Sequence, residues 1–198
     1  MEQNLIIRLA RLEDAPELAA IYAPYVRNTA VSYEYEPPNS EEFRRRMDGY
    51  MHAFPYLVAE LDGKICGYAY AAPYGVRAAY GWSMELSVYV AQNCRKSGVG
   101  KQLYTVMEKL LKEQNVVNLY AQIAGVAVED EYLTHDSVKF HEAMGFTLVG
   151  RMHNAGYKFG RWYDMLTLEK HIAPHLAHQP DIIPFERLDP EVLHRCGV

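Results

Sequence analysis

The chain predicts an α/β fold: a mixed, mostly antiparallel central sheet with helices on both faces. Three observations carry this. A hairpin signal stands at Asp62-Gly63 between two alternating apolar runs. The segment from Gly98 to Asn115 is strongly amphipathic. The elements follow in the order β-α-α-β-β-β-α-β-α-β-β, which is not a string of βαβ repeats and so argues against a doubly wound dinucleotide fold.

Each element has its own reason. Asn4 to Ala10 alternates as a first strand. Asp14 to about Asn28 places Leu18, Ile21, Tyr22 and Tyr25 at helical spacing, and Pro16 is tolerated in a first turn. "YEPPNSEEF" breaks the chain, and Ser40 is the expected cap of a second helix of roughly 12 residues. "YLVAELDGKICGYAYAA" forms the hairpin, and "YGWSMELSVYV" is a further strand, wet at its start and apolar at its end. Val99, Leu103, Val106, Leu110 and Leu111 share one face of the third helix. "VVNLYAQIAGV" is a strand, Asp136 to Met144 a short helix stopped by Gly145, and "FTLVGRMHN" and "RWYDMLTLEK" are the last two strands. Residues 1–170 thus form one domain. From 171 to 198 the pattern loses its period, which predicts a tail packed on the domain or on a partner subunit.

Bulk properties narrow the function classes. Lys+Arg 20 against Asp+Glu 25 gives 20 − 25 = −5, and an acidic chain is a poor general binder of nucleic acid. No apolar run reaches membrane-spanning length, and the first residues lack the basic and apolar regions of a signal peptide. Cys66, Cys94 and Cys196 match neither a disulfide framework nor a zinc pattern. A cytoplasmic protein without a metal is expected. His171, His175 and His178 have helical spacing, but Pro174 interrupts them and no carboxylate follows.

The chemistry concentrates in "VYVAQNCRKSGVGKQL", Val88 to Leu103. A strand runs through a glycine turn into a helix, so unpaired N–H groups and the positive end of the helix dipole meet Arg95, Lys96 and Lys101, an arrangement suited to a phosphate or pyrophosphate. The nucleotide-triphosphate loop needs a glycine where Arg95 stands and a hydroxyl where Gln102 stands. The dinucleotide fingerprint needs a glycine at Leu103. What remains, Arg95-x-x-Gly98-x-Gly100, is the R/Q-x-x-G-x-G/A pattern, and it resembles the pyrophosphate loop of the GNAT acetyltransferase family.

Further stretches in matching order are "IYAPYV", "AVSYEYEPP", "GYAYAAPY", "AYGWSMELSVYV", "HEAMGF" and "AGYKFGRWYDM". With them the resemblance spans about residues 4 to 170 and is closest to the phosphinothricin/methionine-sulfoximine N-acetyltransferase subgroup. It implies a GNAT fold, a homodimer, and transfer of an acetyl group from acetyl-CoA to the amine of a small amino acid or analogue. Such a reaction needs a base for the amine, donors for the oxyanion and a protonated leaving sulfur. The resemblance places Glu85 in the slot of the catalytic carboxylate. It places His141 where many relatives carry a tyrosine acid, as acid or auxiliary base. Val88, Tyr89 and Val90 would meet the thioester and pantetheine with their main chain. Arg95, Lys96, Ser97, Gly98, Val99, Gly100 and Lys101 would hold the diphosphate, with Thr134 and Ser137 also near the cofactor.

Arg77, whose guanidinium suits a carboxylate or phosphinate, and Tyr33, Tyr80 and Trp82 are the acceptor-binding candidates, followed by Lys158 and Arg161. The chain departs from the subgroup at Thr134, where asparagine is usual, and at Gly75, where lysine is usual. It also carries an acidic insertion over 126–134, expected to reshape the acceptor pocket. The rival readings are acetylation of a polyamine, which "VEDEY" would favour and Arg77 oppose, acetylation of a protein N-terminus, and a non-catalytic acyl-CoA sensor.

Overall fold

The computed structural model describes residues 5–198, so Asn4 of the predicted first strand lies outside the described residues. Seven strands form one sheet in the order β1-β2-β3-β4-β5-β7-β6. They are β1 Leu5–Leu9, β2 Tyr56–Leu61, β3 Lys64–Pro73, β4 Ser83–Val90, β5 Asn118–Gly125, β6 Thr147–Lys158 and β7 Arg161–His171. All neighbours are antiparallel except β4 and β5. The β2–β3 turn uses Asp62 and Gly63 at positive φ, the conformation of the tight hairpin the sequence predicts. The sequence starts the fourth strand too early: residues 78–80 coil into a single 3₁₀ turn ahead of β4.

Among the described residues there are five α-helices: α1 Ala15–Asn28, α2 Ser40–Met51, α3 Val99–Glu113, α4 Asp136–Ala143 and α5 Pro190–Cys196. Asn39, not Ser40, caps α2, accepting the Glu42 N–H on its side chain at 2.9 Å. The helices α1 and α2 cover one face, where Leu18, Val26, Phe43 and Met47 meet Tyr56, Val58 and Tyr68. On the other face α3 buries Leu103, Tyr104, Met107, Leu110 and Leu111 against β2, β3 and β4. Each buried leucine there contributes about 1.5–3 kcal/mol over an exposed one, so this helix anchors the core. The same cluster takes Val138, Phe140 and Met144 of α4 on its margin.

The final segment lies along the α3 side. Ile182, Phe185, Val192 and Leu193 pack on the main core and Cys196 is buried in it. The Gln114 amide donates to the Ile183 carbonyl at 2.8 Å, and the Phe185 N–H reaches the Ala53 carbonyl at 3.1 Å. The aperiodic reading of this segment overlooks α5. Its ends are nonetheless written in Asp189 at the cap, Pro190 in the first turn and Gly197 at positive φ just past the last turn. His171 ends β7 and no helix forms between it and His178. Among the described residues no group of three His, Cys, Asp or Glu side chains is arranged for a metal, and no helix is long and apolar enough to cross a membrane.

Candidate active site

The parallel ladder between β4 and β5 has three rungs, Ser83 to Asn118, Met84 to Leu119 and Glu85 to Tyr120. Beyond Glu85 the strands part, although β4 continues to Val90 and β5 to Gly125. On its other edge β4 stays paired with β3 all the way to Val90. Residues 86–90 therefore turn one row of main-chain N–H and C=O groups into the fork, where the Val90 carbonyl accepts from the Tyr25 hydroxyl at 2.6 Å and the rest are open to an extended ligand. Side chains alternate along β4: Met84 and Leu86 are buried on the α3 side, while Tyr89 packs with the α1 and α2 cluster and shares its face with Ser87 and Glu85. The cleft in the fork is lined by Val31 from the α1–α2 loop, Ser87, Val88 and Tyr89 from β4, and Tyr104, Ser137 and His141 from the opposite face. The sheet is open here, so groups on its two sides reach one space.

Glu85 sits at the crotch of the fork, half-buried, on the last paired rung. Burial raises its carboxyl above the usual range, which makes it a stronger proton acceptor once ionised. His141 is buried on α4 among Phe140, Phe146 and Tyr104. Its Nδ1 lies 2.7 Å from the Ser137 carbonyl and its Nε2 lies 3.0 Å from the Tyr104 hydroxyl. A carbonyl can only accept, so Nδ1 carries the proton and the unprotonated Nε2 accepts from the phenol. Burial pushes the imidazole down to about 4, with the Ser137 carbonyl opposing. At neutral pH the ring is uncharged and its single N–H is engaged. The imidazole's partner hydrogen comes from Tyr104, which borders the cleft and which the sequence reading passes over because it stands among apolar positions of α3. Burial raises that phenol too and keeps it protonated.

The glycine turn follows β4. Gln92–Cys94 form a 3₁₀ turn, Lys96 and Gly98 both take positive φ, and the Ser97 hydroxyl donates to the Cys94 carbonyl at 2.6 Å. The first intrahelical bond of α3 runs from Gln102 N–H to Gly98 C=O at 3.1 Å. The N–H groups of Val99, Gly100 and Lys101 thus stand at the open end of the helix, where an anion is stabilised. Gly100 packs against Phe140: an added Cβ would meet the ring at 3.3 Å. Arg95 crosses to Asp136 on α4 at 3.0 Å and both side chains are partly exposed, so the pair borders the groove without being sealed in it. The Thr134 hydroxyl accepts from the Asp136 N–H at 3.4 Å, and Ser137 offers its carbonyl to His141.

The acceptor-binding candidates separate. Arg77 and Tyr80 are exposed on the loop before β4, and the Tyr80 ring crowds Gly75, where a Cβ would lie at 2.9 Å. Trp82 is tied to the final segment, its indole N–H donating to the Pro180 carbonyl at 2.7 Å. Tyr33 donates to the Asp164 carbonyl at 2.7 Å and lies over Gly156, where an added Cβ would be 2.4 Å from the ring. Lys158 is buried and gives its three N–H bonds to the carbonyls of Val26, Thr29 and Ser32, at 2.7, 2.9 and 2.6 Å. Having three donors and three acceptors, it has none left for a carboxylate. Arg161 pairs with Asp130 and Glu131. Asp130 further accepts the N–H groups of Tyr132 and Leu133 and the Tyr163 hydroxyl, and Glu129 takes the His135 N–H. The carboxylates of the 126–134 insertion are engaged within their own corner of the molecule.

Comparison with known proteins agrees with this architecture. Residues 7–167 match the family model described as acetyltransferase (GNAT) domain. The chain is 36% identical to a phosphinothricin N-acetyltransferase of Alcaligenes faecalis, over 83% of this chain and 81% of that protein. It is 28% identical to the L-methionine sulfoximine/L-methionine sulfone acetyltransferase of Salmonella typhimurium, over 86% and 98% respectively. Among solved structures, a GNAT superfamily phosphinothricin acetyltransferase from Sinorhizobium meliloti in complex with AcCoA superimposes with a TM-score of 0.80 at 30% identity, covering 96% of this chain and 97% of that one.

Proposed function

The chain belongs to the GNAT acetyltransferase family and is an acetyl-CoA-dependent N-acetyltransferase, and we propose that it acetylates the primary α-amine of a small amino acid or analogue, of the phosphinothricin or methionine sulfoximine and sulfone type. One observation supports this above the others: a half-buried carboxylate with a raised ionisation point stands on the last rung before the sheet forks, and the Tyr104–His141 pair lines the cleft that the fork opens.

In this reading the N–H groups of Val99, Gly100 and Lys101, with Arg95, Lys96, Ser97 and Gly98, hold the diphosphate, and Thr134 and Ser137 border the cofactor groove. The free edge of β4 at Val88, Tyr89 and Val90 lies along the pantetheine arm and gives N–H donors to the thioester oxygen. When bound, acetyl-CoA supplies the activated acyl group. Glu85 takes the proton from the acceptor ammonium, directly or through a water. As the sulfur departs, Tyr104 turns its one O–H from His141 Nε2 to the sulfur, and its raised ionisation keeps that hydrogen on the phenol. Arg77 and Tyr80, exposed on the loop that leads into β4, receive the carboxylate of the acceptor. A polyamine acceptor loses its support, because the acidic groups it would need are paired elsewhere.

Two broader assignments belong to this reading. The β6 strand is a long free edge of the sheet and exposes Leu148, Val149 and Met152. Such an edge invites pairing, so the protein is assigned as a homodimer through it. Free thiols at Cys66, Cys94 and Cys196 fit the cytoplasm. The test of function is thiol release from acetyl-CoA with methionine sulfone, methionine sulfoximine, phosphinothricin, spermidine and the common amino acids. Turnover with an α-amino acid or analogue supports the proposal; turnover with spermidine alone overturns it.

A further inference from the structure

One polar side chain of the cleft has no part in the chemistry above. Leu119, Ala121 and Ile123 of β5 are buried on the α3 side, so Tyr120 and Gln122 between them point to the opposite face, the face that carries Glu85. The cluster packed under α1 and α2 takes residues from β2, β3 and β4 and, among the described residues, none from β5. Core packing therefore does not account for Gln122, which is half-buried and lines the cleft in the fork.

Its carboxamide is oriented. Gln122 pairs in register with Thr167 of β7, and the Thr167 hydroxyl donates to Gln122 Oε1 at 3.1 Å. The oxygen thus points toward β7, and the NH2 group at the other end of the planar amide points back across β5 toward the fork. Neither hydrogen of that group has a protein partner among the described residues, and its nitrogen is not one of the enclosed polar atoms that lack a partner, so the group is open. An amide held by its oxygen and offering two N–H donors at its other end is suited to receive an oxygen from a ligand.

Register sets its distance from the reaction centre. Glu85 stands beside Tyr120 on the last rung, and Gln122 is two residues farther along β5, across the fork from Ser87. With strands about 4.8 Å apart and alternate residues about 7 Å apart, the Cα atoms of Glu85 and Gln122 are about 8 Å from each other. Side chains from both point the same way, so an amine held by one and an oxygen held by the other fit the two ends of a short, unbranched amino acid. The opposite direction is closed. Tyr74, whose N–H meets the Ser83 carbonyl at 3.0 Å, stacks on Tyr120 at 4.2 Å between centroids, and Tyr80 meets Tyr74 edge-on at 5.8 Å. A side chain that leaves Glu85 along this face runs toward Gln122, away from the loop of Arg77.

We propose that Gln122 is the residue that reads the acceptor's side chain: its NH2 group donates to an oxygen carried on the third atom of that chain, as in a sulfone, sulfoximine, phosphinate or amide. Thr167 is the positioning residue that keeps the amide turned to the fork. The assignment rests on the acetyltransferase reading above and names the group that distinguishes its acceptors. Being uncharged, the amide selects oxygen over hydrocarbon or thioether, not one charge over another.

The experiment measures kcat/KM of the full chain with methionine sulfone, methionine and norleucine in the parent, in Gln122→Met and in Thr167→Val, together with KM for acetyl-CoA in each. In the parent the sulfone should exceed both other acceptors by at least about 10-fold, as in sites built to hydrogen-bond a substrate group. Gln122→Met keeps the length and deletes the donors; it should shrink that ratio about 10-fold, through KM for the sulfone more than through kcat. Thr167→Val frees the amide to turn and should shrink the ratio about threefold. Where Gln122→Met fails to fold, Thr167→Val decides, and a ratio equal to the parent's overturns the proposal. A parent without preference for the sulfone overturns it, as does an unchanged ratio in Gln122→Met. Equal losses for all three acceptors mark a packing defect and overturn it too. A raised KM for acetyl-CoA with the acceptor ratio unchanged gives the amide to the cofactor and likewise overturns it. In all these cases thiol release by the parent leaves the acetyltransferase reading intact. No thiol release by the parent with any α-amino acid or analogue, despite acetyl-CoA binding, removes that reading and this one together.

Discussion

The base proposed for the amine, Glu85, would act only while ionised, and burial raises its ionisation point. Activity should therefore be full well above that point and fall as pH drops through it. Glu85→Gln removes the acceptor of the amine proton at constant shape, and kcat should fall about 100-fold, the middle of the range for general-base catalysis. Acetyl-CoA affinity, read by calorimetry, should stay within about twofold; an unchanged kcat would take Glu85 out of the mechanism. His141 makes a separate, thermodynamic prediction. Its folded-state value is about 4 against an ordinary 6.5, so below 6.5 the unfolded chain takes the proton first. The contribution is whole above that pH and is lost as pH falls toward 4, on the order of 3 kcal/mol in all. Melting temperatures between pH 7 and 5 should decline less steeply in His141→Gln than in the parent, and parallel slopes would contradict the assignment. Glu85 is offered in sequence by the family resemblance, which puts a carboxylate three residues ahead of Val88. Tyr104 is not, because on a helical wheel it is one more large residue on the buried face of α3. Its role depends on α4 delivering an imidazole 37 positions later.

The α1–α2 loop supplies Val31 to the cleft in the fork. It has no regular hydrogen bonding of its own. Lys158 of β6 substitutes for it by gathering the loop carbonyls of Thr29 and Ser32 and the Val26 carbonyl in the last turn of α1 under one ammonium, and burial lowers that ammonium from its usual range. Lys158→Met keeps the stem and deletes the donors, leaving three carbonyls to find other partners. Urea denaturation should show a loss of about 2–4 kcal/mol, given what a buried charged hydrogen bond contributes and what its unpaired partner costs. A loss under about 0.5 kcal/mol would show that the loop holds its shape unaided. Sequence reasoning offers Lys158 to a substrate carboxylate instead, and the reason is plain: its partners lie between 126 and 132 positions away. Local signals do better where they are self-sufficient. The Asp62-Gly63 hairpin and the α3 stripe appear as read. Capping of α2 moves by one residue because both Asn39 and Ser40 carry suitable side chains, and backbone angles decide between them.

At the scale of the whole molecule, seven strands make a sheet with two outer strands, β1 and β6. β6 is the more exposed, with Leu148, Val149 and Met152 each about half accessible. If two copies pair there, Leu148→Lys with Met152→Lys should bring the sedimentation mass to that of one chain while circular dichroism stays native. A parent that already sediments as one chain, or a double variant that stays dimeric, rejects the edge as the interface. The mixed sheet and its two helical faces follow from element order. The strand order does not, because nothing local in β7 announces that it inserts between β5 and β6.

The three-rung junction at Ser83–Glu85 has a mechanical consequence. Along the seam between β1–β4 on one side and β5–β7–β6 on the other, it is where main-chain bonding joins the two parts of the sheet. Any relative rotation of those parts pivots there, and displacement grows with distance along each arm, greatest at Val90 and Gly125 and least at the third rung. The carboxylate occupies the fulcrum. A lever can swing to admit and release a long guest while the point on which it turns stays put.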